Sequence, residues 1–236
     1  MRVAYLTAGA GGMYCGSCMR DNALAAALIR KRRDVILIPV YSPIRTDETD
    51  VSDGRVLYGG INIFLQQKSG LFRHLPKFAD RLLDHPGLLR MAMKRAGSAS
   101  PETSAPITLS VLRGEHGAQR REVAKLIESL RELEPSIVHL PNAMFVGLAE
   151  PIRRSLGVPV VCTLTGEDIF LEKLPAAARQ EAFGLVRDRG RNVDAFISVS
   201  RHYTDYAVEH FGIPREKIFQ VPMGISLVDG SIPGAS

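Results

Sequence analysis

Residues 2–17 read RVAYLTAGAGGMYCGS, and this stretch decides the fold. The apolar residues 2–8 predict a β-strand, and a helical pattern follows the glycine-rich loop at 18–31. Such a strand, loop and helix N-terminus form an anion site, because bare backbone N–H groups and the helix dipole both favour negative charge. The alternative is a tight strand-to-helix turn that binds no ligand.

Apolar runs and helical patterns alternate along the rest of the chain. Strands separated by helices predict βαβ units, and right-handed crossovers then give an α/β fold with a Rossmann-like, doubly wound parallel sheet. The predicted strands are 2–7, 35–41, 107–112, 137–140, 158–164, 195–199 and 218–221, and the predicted helices are 18–31, 117–133, 148–156, 175–191 and 201–211.

The region at about 43–106 is less regular and predicts a helical and hairpin insertion. Residues 55–57 and 61–65 flank Gly59-Gly60, as in a strand pair, and residues 97–106 predict a small-residue loop. Residues 71–95 are basic and amphipathic. They match either an interfacial helix on an anionic membrane or the solvated face of a packed helix.

Composition limits the functional classes. The chain has 236 residues, a formal charge of +5 and three cysteines, which excludes a disulfide framework and favours a reducing, cytoplasmic compartment. No apolar run reaches the roughly 18 residues of a membrane span. Basic residues are not interleaved with aromatic ones, so nucleic acid is not expected as a partner. Contact with the inner face of a membrane through 71–95 stays an alternative.

Four polar segments directly follow predicted strands, at 9–17, 141–144, 163–168 and 198–201. Ligands of doubly wound sheets bind beyond the carboxyl ends of the strands, so these segments hold the candidate site residues. Carboxylates such as Glu167 and Asp168 can hydrogen-bond sugar hydroxyls or act as a base. Alternatively, Asp168 and Ser200 are N-caps of the helices that follow them.

The glycine loop departs from both common nucleotide motifs. In the dinucleotide fingerprint Gly9 and Gly11 fit, but Tyr14 occupies the position of the third glycine. The second strand ends in Tyr41-Ser42, without the acidic residue that holds a ribose. No Gly-Lys-Ser/Thr follows, which excludes a P-loop.

Cys15 and Cys18 form a C-x-x-C motif at a helix start, where a thiol pKa is lowered, as in redox enzymes. A structural zinc site needs a second pair or histidines at ligand spacing, and the sequence has neither. We interpret both thiols as packing or loop-geometry residues, with redox sensitivity or adventitious metal binding as the alternative.

Five further segments are informative in their order and spacing. They are TAGAGGMYCGSCMRDNALAAAL (7–28), VHLPNAMFVGLA (138–149), VPVVCTLTGEDIFLEKLP (158–175), VDAFISVSRHYTDYAVEHFGIP (193–214) and KIFQVPMGI (217–225). Together they resemble the N-terminal half of a family-4 glycosyltransferase of the GT-B fold. The resemblance implies an acceptor-side domain at 1–222 and a hinge with a tail at 223–236.

The resemblance also implies substrates and site residues. It implies retaining transfer of a sugar from a nucleotide-diphospho-sugar to a sugar, lipid or small-molecule acceptor, with no metal or other cofactor. Many relatives have a histidine where Thr165 stands, so Glu167 or Asp168 is expected to contact the sugar instead. Gly11 and Gly12 match the loop that reaches the donor phosphates, and the expected acceptor and sugar contacts are Tyr14, Asn142, Thr165, Gly166, Ser200 and Arg201.

The sequence ends shortly after Gly224, where the resemblance places the hinge to a donor-binding C-terminal domain. We therefore expect these residues alone to bind donor weakly and to be inactive or weakly active as a hexosyltransferase. Two other functions stay open: a non-catalytic module that binds an anionic membrane or a partner chain through 71–95, and half of a nucleotide-sugar epimerase.

Overall fold

A six-stranded, wholly parallel sheet forms the centre of the protein. The computed structural model describes residues 1–9, 13–54 and 101–224. In these ranges the strand order is β2-β1-β3-β4-β5-β6, which confirms the predicted Rossmann-like α/β class. The strands are β1 (Arg2–Thr7), β2 (Asp34–Pro39), β3 (Ile137–Leu140), β4 (Val160–Leu164), β5 (Ala195–Ser198) and β6 (Ile218–Gln220).

Helices lie on both faces of the sheet. The helices are α1 (Gly16–Arg30), α2 (Pro101–Leu112), α3 (Arg120–Leu133), α4 (Ala149–Leu156), α5 (Asp168–Leu171), α6 (Ala176–Gly190) and α7 (Arg201–Phe211). Among the described residues, short 3₁₀ helices occupy Gly114–His116, Ala143–Leu148 and Arg215–Lys217. Most of these elements fall within a few residues of their predicted bounds, because glycine or proline flanks several of the apolar runs.

The two faces of the sheet have separate cores. Tyr5 of β1 lies beside Leu37 of β2, and both pack against the buried Cys18 and Ala25 of α1. The neighbouring residue Leu6 points to the other face. There it joins a larger core to which α3, α4, α6 and α7 contribute side chains, among them Leu126, Ile152, Val186 and Phe211.

The strand order also locates a crevice. The chain passes from β1 outward to β2, then returns across β1 to β3, so the direction of winding reverses between β1 and β3. In doubly wound sheets this reversal opens a crevice at the carboxyl ends of the two strands, and ligands bind there.

One predicted strand is wrong. Residues 107–112 belong to α2, and so do residues 101–106 of the predicted loop. The error arises because ITLSVL alternates apolar residues with Thr108 and Ser110 and contains β-branched residues, a pattern typical of a strand. Within the helix, the Thr108 hydroxyl donates a hydrogen bond to the carbonyl oxygen of Ser104, 3.0 Å away.

Three predictions fall outside the described residues. These are the placement of Gly11 and Gly12, the strand pair around Gly59-Gly60, and the basic amphipathic stretch at 71–95. They stay predictions.

Candidate functional site

The four polar segments converge on one edge of the molecule. Every strand of the sheet is parallel, so the residues that follow β1, β3, β4 and β5 all lie at its carboxyl edge. Asn142, Thr165 and Ser200 begin or belong to three of these connections. We call this surface the carboxyl edge.

A single buried carboxylate ties three of those connections together. Glu167 is 5% exposed. Its Oε1 accepts a hydrogen bond from the Ala143 amide at 2.7 Å, and its Oε2 accepts from the Thr165 amide at 2.9 Å. The Tyr203 hydroxyl donates a third bond to Oε2 at 2.7 Å. Glu167 therefore joins the segments after β3, β4 and β5, and its oxygens are directed into the protein.

Asp168 differs from its neighbour in having unused bonding capacity. Its Oδ1 is buried and has no hydrogen-bond partner among the described residues. The side chain as a whole is half-buried, and its backbone N–H lies 3.4 Å from the Tyr203 hydroxyl. Asp168 is the first residue of α5 and does not cap it, so the N-cap alternative is wrong. A buried carboxylate oxygen without a hydrogen-bond donor is rare in folded proteins, so Asp168 is a candidate for ligand contact.

Gly166 forms the turn that places Glu167 and Asp168 at the carboxyl edge. Its φ angle is +91°, a conformation that favours glycine. The turn lets Thr165 and Glu167 face one another: the Thr165 hydroxyl lies 3.5 Å from the Glu167 Oε1. Strand β4 thus ends in a tight polar turn that leads directly into α5.

Asn142 and Ser200 both cap short helical segments. The Asn142 Oδ1 accepts from the Met144 amide at 3.1 Å, at the start of the 3₁₀ helix after β3. The Ser200 hydroxyl accepts from the Tyr203 amide at 3.1 Å, which confirms its predicted N-cap role in α7. Arg201, the next residue, is exposed at the same helix start.

Tyr14 lies exposed on the connection after β1, with 57% of its surface accessible. The guanidinium carbon of Arg45 is 4.3 Å from the centre of its ring, so the two side chains form a cation–π pair. This pair links the connection after β1 to the segment that follows β2.

A buried ionic network lies beneath the crevice. Asp21 of α1 is fully buried and accepts hydrogen bonds from the Tyr5 hydroxyl at 2.8 Å and the Thr7 hydroxyl at 2.9 Å. The Arg20 guanidinium binds the same carboxylate at 2.5 Å. Burial nevertheless raises the pKa of Asp21, against the lowering effect of Arg20 and the two hydroxyls.

His139 extends this network to the next strands. Its ring packs edge-on against Tyr5, with ring centres 4.1 Å apart, and its Nε2 lies 2.7 Å from the Thr163 hydroxyl. Burial, helped by the nearby charge of Arg20, lowers the pKa of His139 to about 3. The imidazole is therefore neutral at physiological pH, and its buried Nδ1 has no partner among the described residues.

The sequence did not indicate a role for Tyr203 or for the buried network of Asp21, Arg20 and His139. Tyr203 appears as one more aromatic residue of a helix, and only the folded arrangement brings its hydroxyl to Glu167. A weak signal exists for His139 and Thr163, because a polar residue inside a buried apolar strand needs a partner.

Two features absent from the described residues bear on the class of site. No group of three or more histidine, cysteine or acidic side chains is arranged to hold a metal ion within residues 1–9, 13–54 and 101–224. Across the same ranges, no helix has the length and apolarity that a membrane crossing requires.

The fold and the carboxyl edge define a Rossmann-like α/β domain whose polar residues gather where such sheets bind ligands. Comparison with known protein families makes this specific. The sequence model of glycosyltransferase family 4 matches residues 91–228, which is more than half of the chain. The chain therefore belongs to glycosyltransferase family 4. No curated protein matches it significantly.

Proposed function

We propose that this chain forms the acceptor side of a glycosyltransferase that takes a sugar from a nucleotide-diphospho-sugar, with retention of configuration. Membership of the family supports a glycosyltransferase module with sugar-related substrates. The donor, the acceptor, retention and the absence of a metal or other cofactor are parts of the proposal.

The observation that carries the proposal is the unpartnered carboxylate oxygen of Asp168 at the carboxyl edge. Sugar hydroxyls are hydrogen-bond donors, and a carboxylate is acceptor-only when ionised. A half-buried carboxylate with one unused oxygen thus suits the recognition of a hydroxyl group.

Glu167 has a different role in this proposal. Because Ala143, Thr165 and Tyr203 use its oxygens, Glu167 positions the loops and does not contact the sugar. Asp168 makes the direct contact, while Thr165 and Gly166 shape the turn that presents it. Asn142, Ser200, Arg201 and Tyr14 are the proposed acceptor and sugar contacts around that turn.

The donor phosphates are proposed to lie at the loop after β1, against the amides of Gly11 and Gly12. The described part of this loop supports an anion there, because it leads from β1 directly into the N-terminus of the 15-residue helix α1. The described first turn of α1 contains no acidic side chain that would oppose a phosphate.

Saturation-transfer NMR with nucleotide-diphospho-hexoses tests the proposal. The probes are uridine-, guanosine- and adenosine-diphosphate hexoses, each compared with the nucleoside diphosphate that lacks the sugar. We expect Asp168→Asn to weaken binding of the preferred hexose donor roughly tenfold, as expected for loss of a hydrogen bond to a charged group. Binding of the matching nucleoside diphosphate should not change.

Asp188→Asn is the matched control. Asp188 is an exposed carboxylate on α6, paired only loosely with Arg191 at 3.9 Å. The Asp188→Asn variant should bind every probe as the unmodified protein does. The proposal is contradicted if none of the probes binds, or if the two asparagine variants bind the hexose donors equally well.

A further inference from the structure

The two thiols of the C-x-x-C motif are neighbours at the start of α1. Cys15 is the N-cap of the helix, in an extended conformation, and Cys18 lies in its first turn. Both side chains pack in the same cluster beside α1, and each thiol affects the pKa of the other. Two cysteines placed in this way at a helix start have the arrangement of C-x-x-C redox motifs.

The environments of the two thiols are unequal. Cys15 is half-buried, so a small reagent can reach it, whereas Cys18 is only 1% exposed. The Cys15 sulfur also lies 3.0 Å from the Ser17 hydroxyl. One accessible and one shielded sulfur are the arrangement that thiol–disulfide exchange requires of an attacking and a resolving cysteine.

The pKa values of the two thiols differ in the same way as their exposure. Burial opposes ionisation of Cys15, but hydrogen bonds from the Ser17 hydroxyl, from the Cys18 thiol and from the amides of both residues lower its pKa. Burial, together with the negative charge of Cys15, raises the pKa of Cys18 to about 11. Cys15 is thus the more acidic thiol of the pair, and Cys18 is the one that keeps its proton more firmly.

We propose that Cys15 and Cys18 are a redox-active dithiol that forms a reversible disulfide by exchange with a low-molecular-weight disulfide. The Cys15 thiolate attacks one sulfur of the reagent and expels the other as a thiolate, which leaves a mixed disulfide on Cys15. Cys18 then loses its proton to solvent and attacks the Cys15 sulfur, which releases the second reagent thiol. Two protein thiols are oxidised, and one disulfide is reduced to two thiols.

The disulfide would form beside the anion-binding loop. The Thr7 hydroxyl, at the end of β1, and the Gly9 amide lie beside Cys18, and both lower the pKa of its thiol. Oxidation therefore changes bonding at both ends of the connection between β1 and α1. This inference does not depend on the proposed sugar chemistry, and its test uses no sugar.

Equilibration of the folded chain with mixtures of reduced and oxidised glutathione tests the proposal. After acid quenching, the remaining thiols are alkylated under denaturing conditions and counted by mass. We expect the loss of two thiols together, and peptide mapping should find a bond between Cys15 and Cys18. The variant Cys162→Ser, which removes a fully buried thiol distant from the pair in sequence, should give the same bond.

Two single variants separate the roles. Cys18→Ser should accumulate glutathione on Cys15, because no resolving thiol is present. Cys15→Ser should leave Cys18 largely unmodified, because Cys18 is shielded. The proposal is overturned if all three thiols of the unmodified chain stay reduced in the most oxidising mixture, or if oxidation stops at a mixed disulfide on Cys15.

Discussion

At the residue scale, the arrangement of the segments at the carboxyl edge depends on the buried carboxylate of Glu167. Removing a carboxylate from water costs several kcal/mol unless hydrogen bonds compensate, and Glu167 receives them from Ala143, Thr165 and Tyr203. Each donor comes from the connection after a different strand. The side chain therefore couples the positions of three loops whose own sequences would leave them independent.

Substitution of Tyr203 tests that coupling. Tyr203→Phe removes one donor from the buried carboxylate, and we expect it to lower the free energy of unfolding by about 1–3 kcal/mol. Urea denaturation measures the change. The matched control is Tyr206→Phe on the same helix, whose hydroxyl donates to the exposed Glu172 at 2.9 Å.

This control should cost less than about 0.5 kcal/mol, because water replaces an exposed hydrogen bond. Equal losses for the two phenylalanine variants would contradict the role given to Glu167.

His139 makes stability depend on pH. Its folded-state pKa of about 3 lies below the ordinary value of 6.5, so between those values the unfolded chain binds the additional proton. The contribution of His139 is therefore fully present above about pH 6.5 and is lost as the pH falls towards 3. Between pH 7 and pH 4.5 this loss should reach roughly 2–3 kcal/mol.

The variant His139→Gln keeps a polar group in the strand but cannot titrate. We expect its free energy of unfolding to fall less between pH 7 and pH 4.5 than that of the unmodified chain. Urea denaturation at both pH values measures the difference. Parallel losses in the two proteins would show that His139 is not the titrating group.

At the element scale, α2 shows what the sequence could and could not indicate. Strands of four to six residues and helices such as α7 were predictable because glycine and proline flank clear apolar patterns. The run at 107–112 resembles a strand because its apolar residues alternate with Thr108 and Ser110, although both polar side chains are buried within α2. Partners that come from distant parts of the chain, such as Tyr203 and Glu167, leave no local pattern to detect.

The packing of α2 also explains the glycine at position 147. A Cβ on Gly147 would lie 2.4 Å from the Leu112 carbonyl oxygen and 2.7 Å from the Gly114 nitrogen. Both contacts are with backbone atoms, which cannot rotate away. The end of α2 and the 3₁₀ helix Ala143–Leu148 therefore approach more closely than any side chain at this position would allow.

Alanine substitution tests this close approach. Gly147→Ala should destabilise the protein by about 1–3 kcal/mol, because the added methyl group forces the backbone apart. The control is Gly184→Ala, inside α6, where an added Cβ meets no atom within 4 Å. That change should stabilise the protein by about 0.5–1 kcal/mol, because alanine favours the helix. Thermal denaturation of both variants measures the effects, and destabilisation by both would contradict this interpretation.

At the scale of the whole molecule, sheet topology explains why the site could be located before its contacts were known. An all-parallel sheet brings the residues after β1, β3, β4 and β5 to one edge, whatever the lengths of the connecting segments. The different roles of Glu167 and Asp168 were not predictable from the sequence. They depend on which of the two carboxylates accepts hydrogen bonds from other parts of the folded chain.

Amide chemical-shift mapping with a bound nucleotide-diphospho-sugar tests the central claim most directly. We predict shifts at the carboxyl edge, at the amides of Gly9, Asn142, Thr165 and Ser200. The opposite edge supplies an internal control, because the amides of Arg33, Ser136 and Asp194 precede β2, β3 and β5. Shifts confined to that opposite edge, or no saturable shift with any donor of the panel, would contradict the claim.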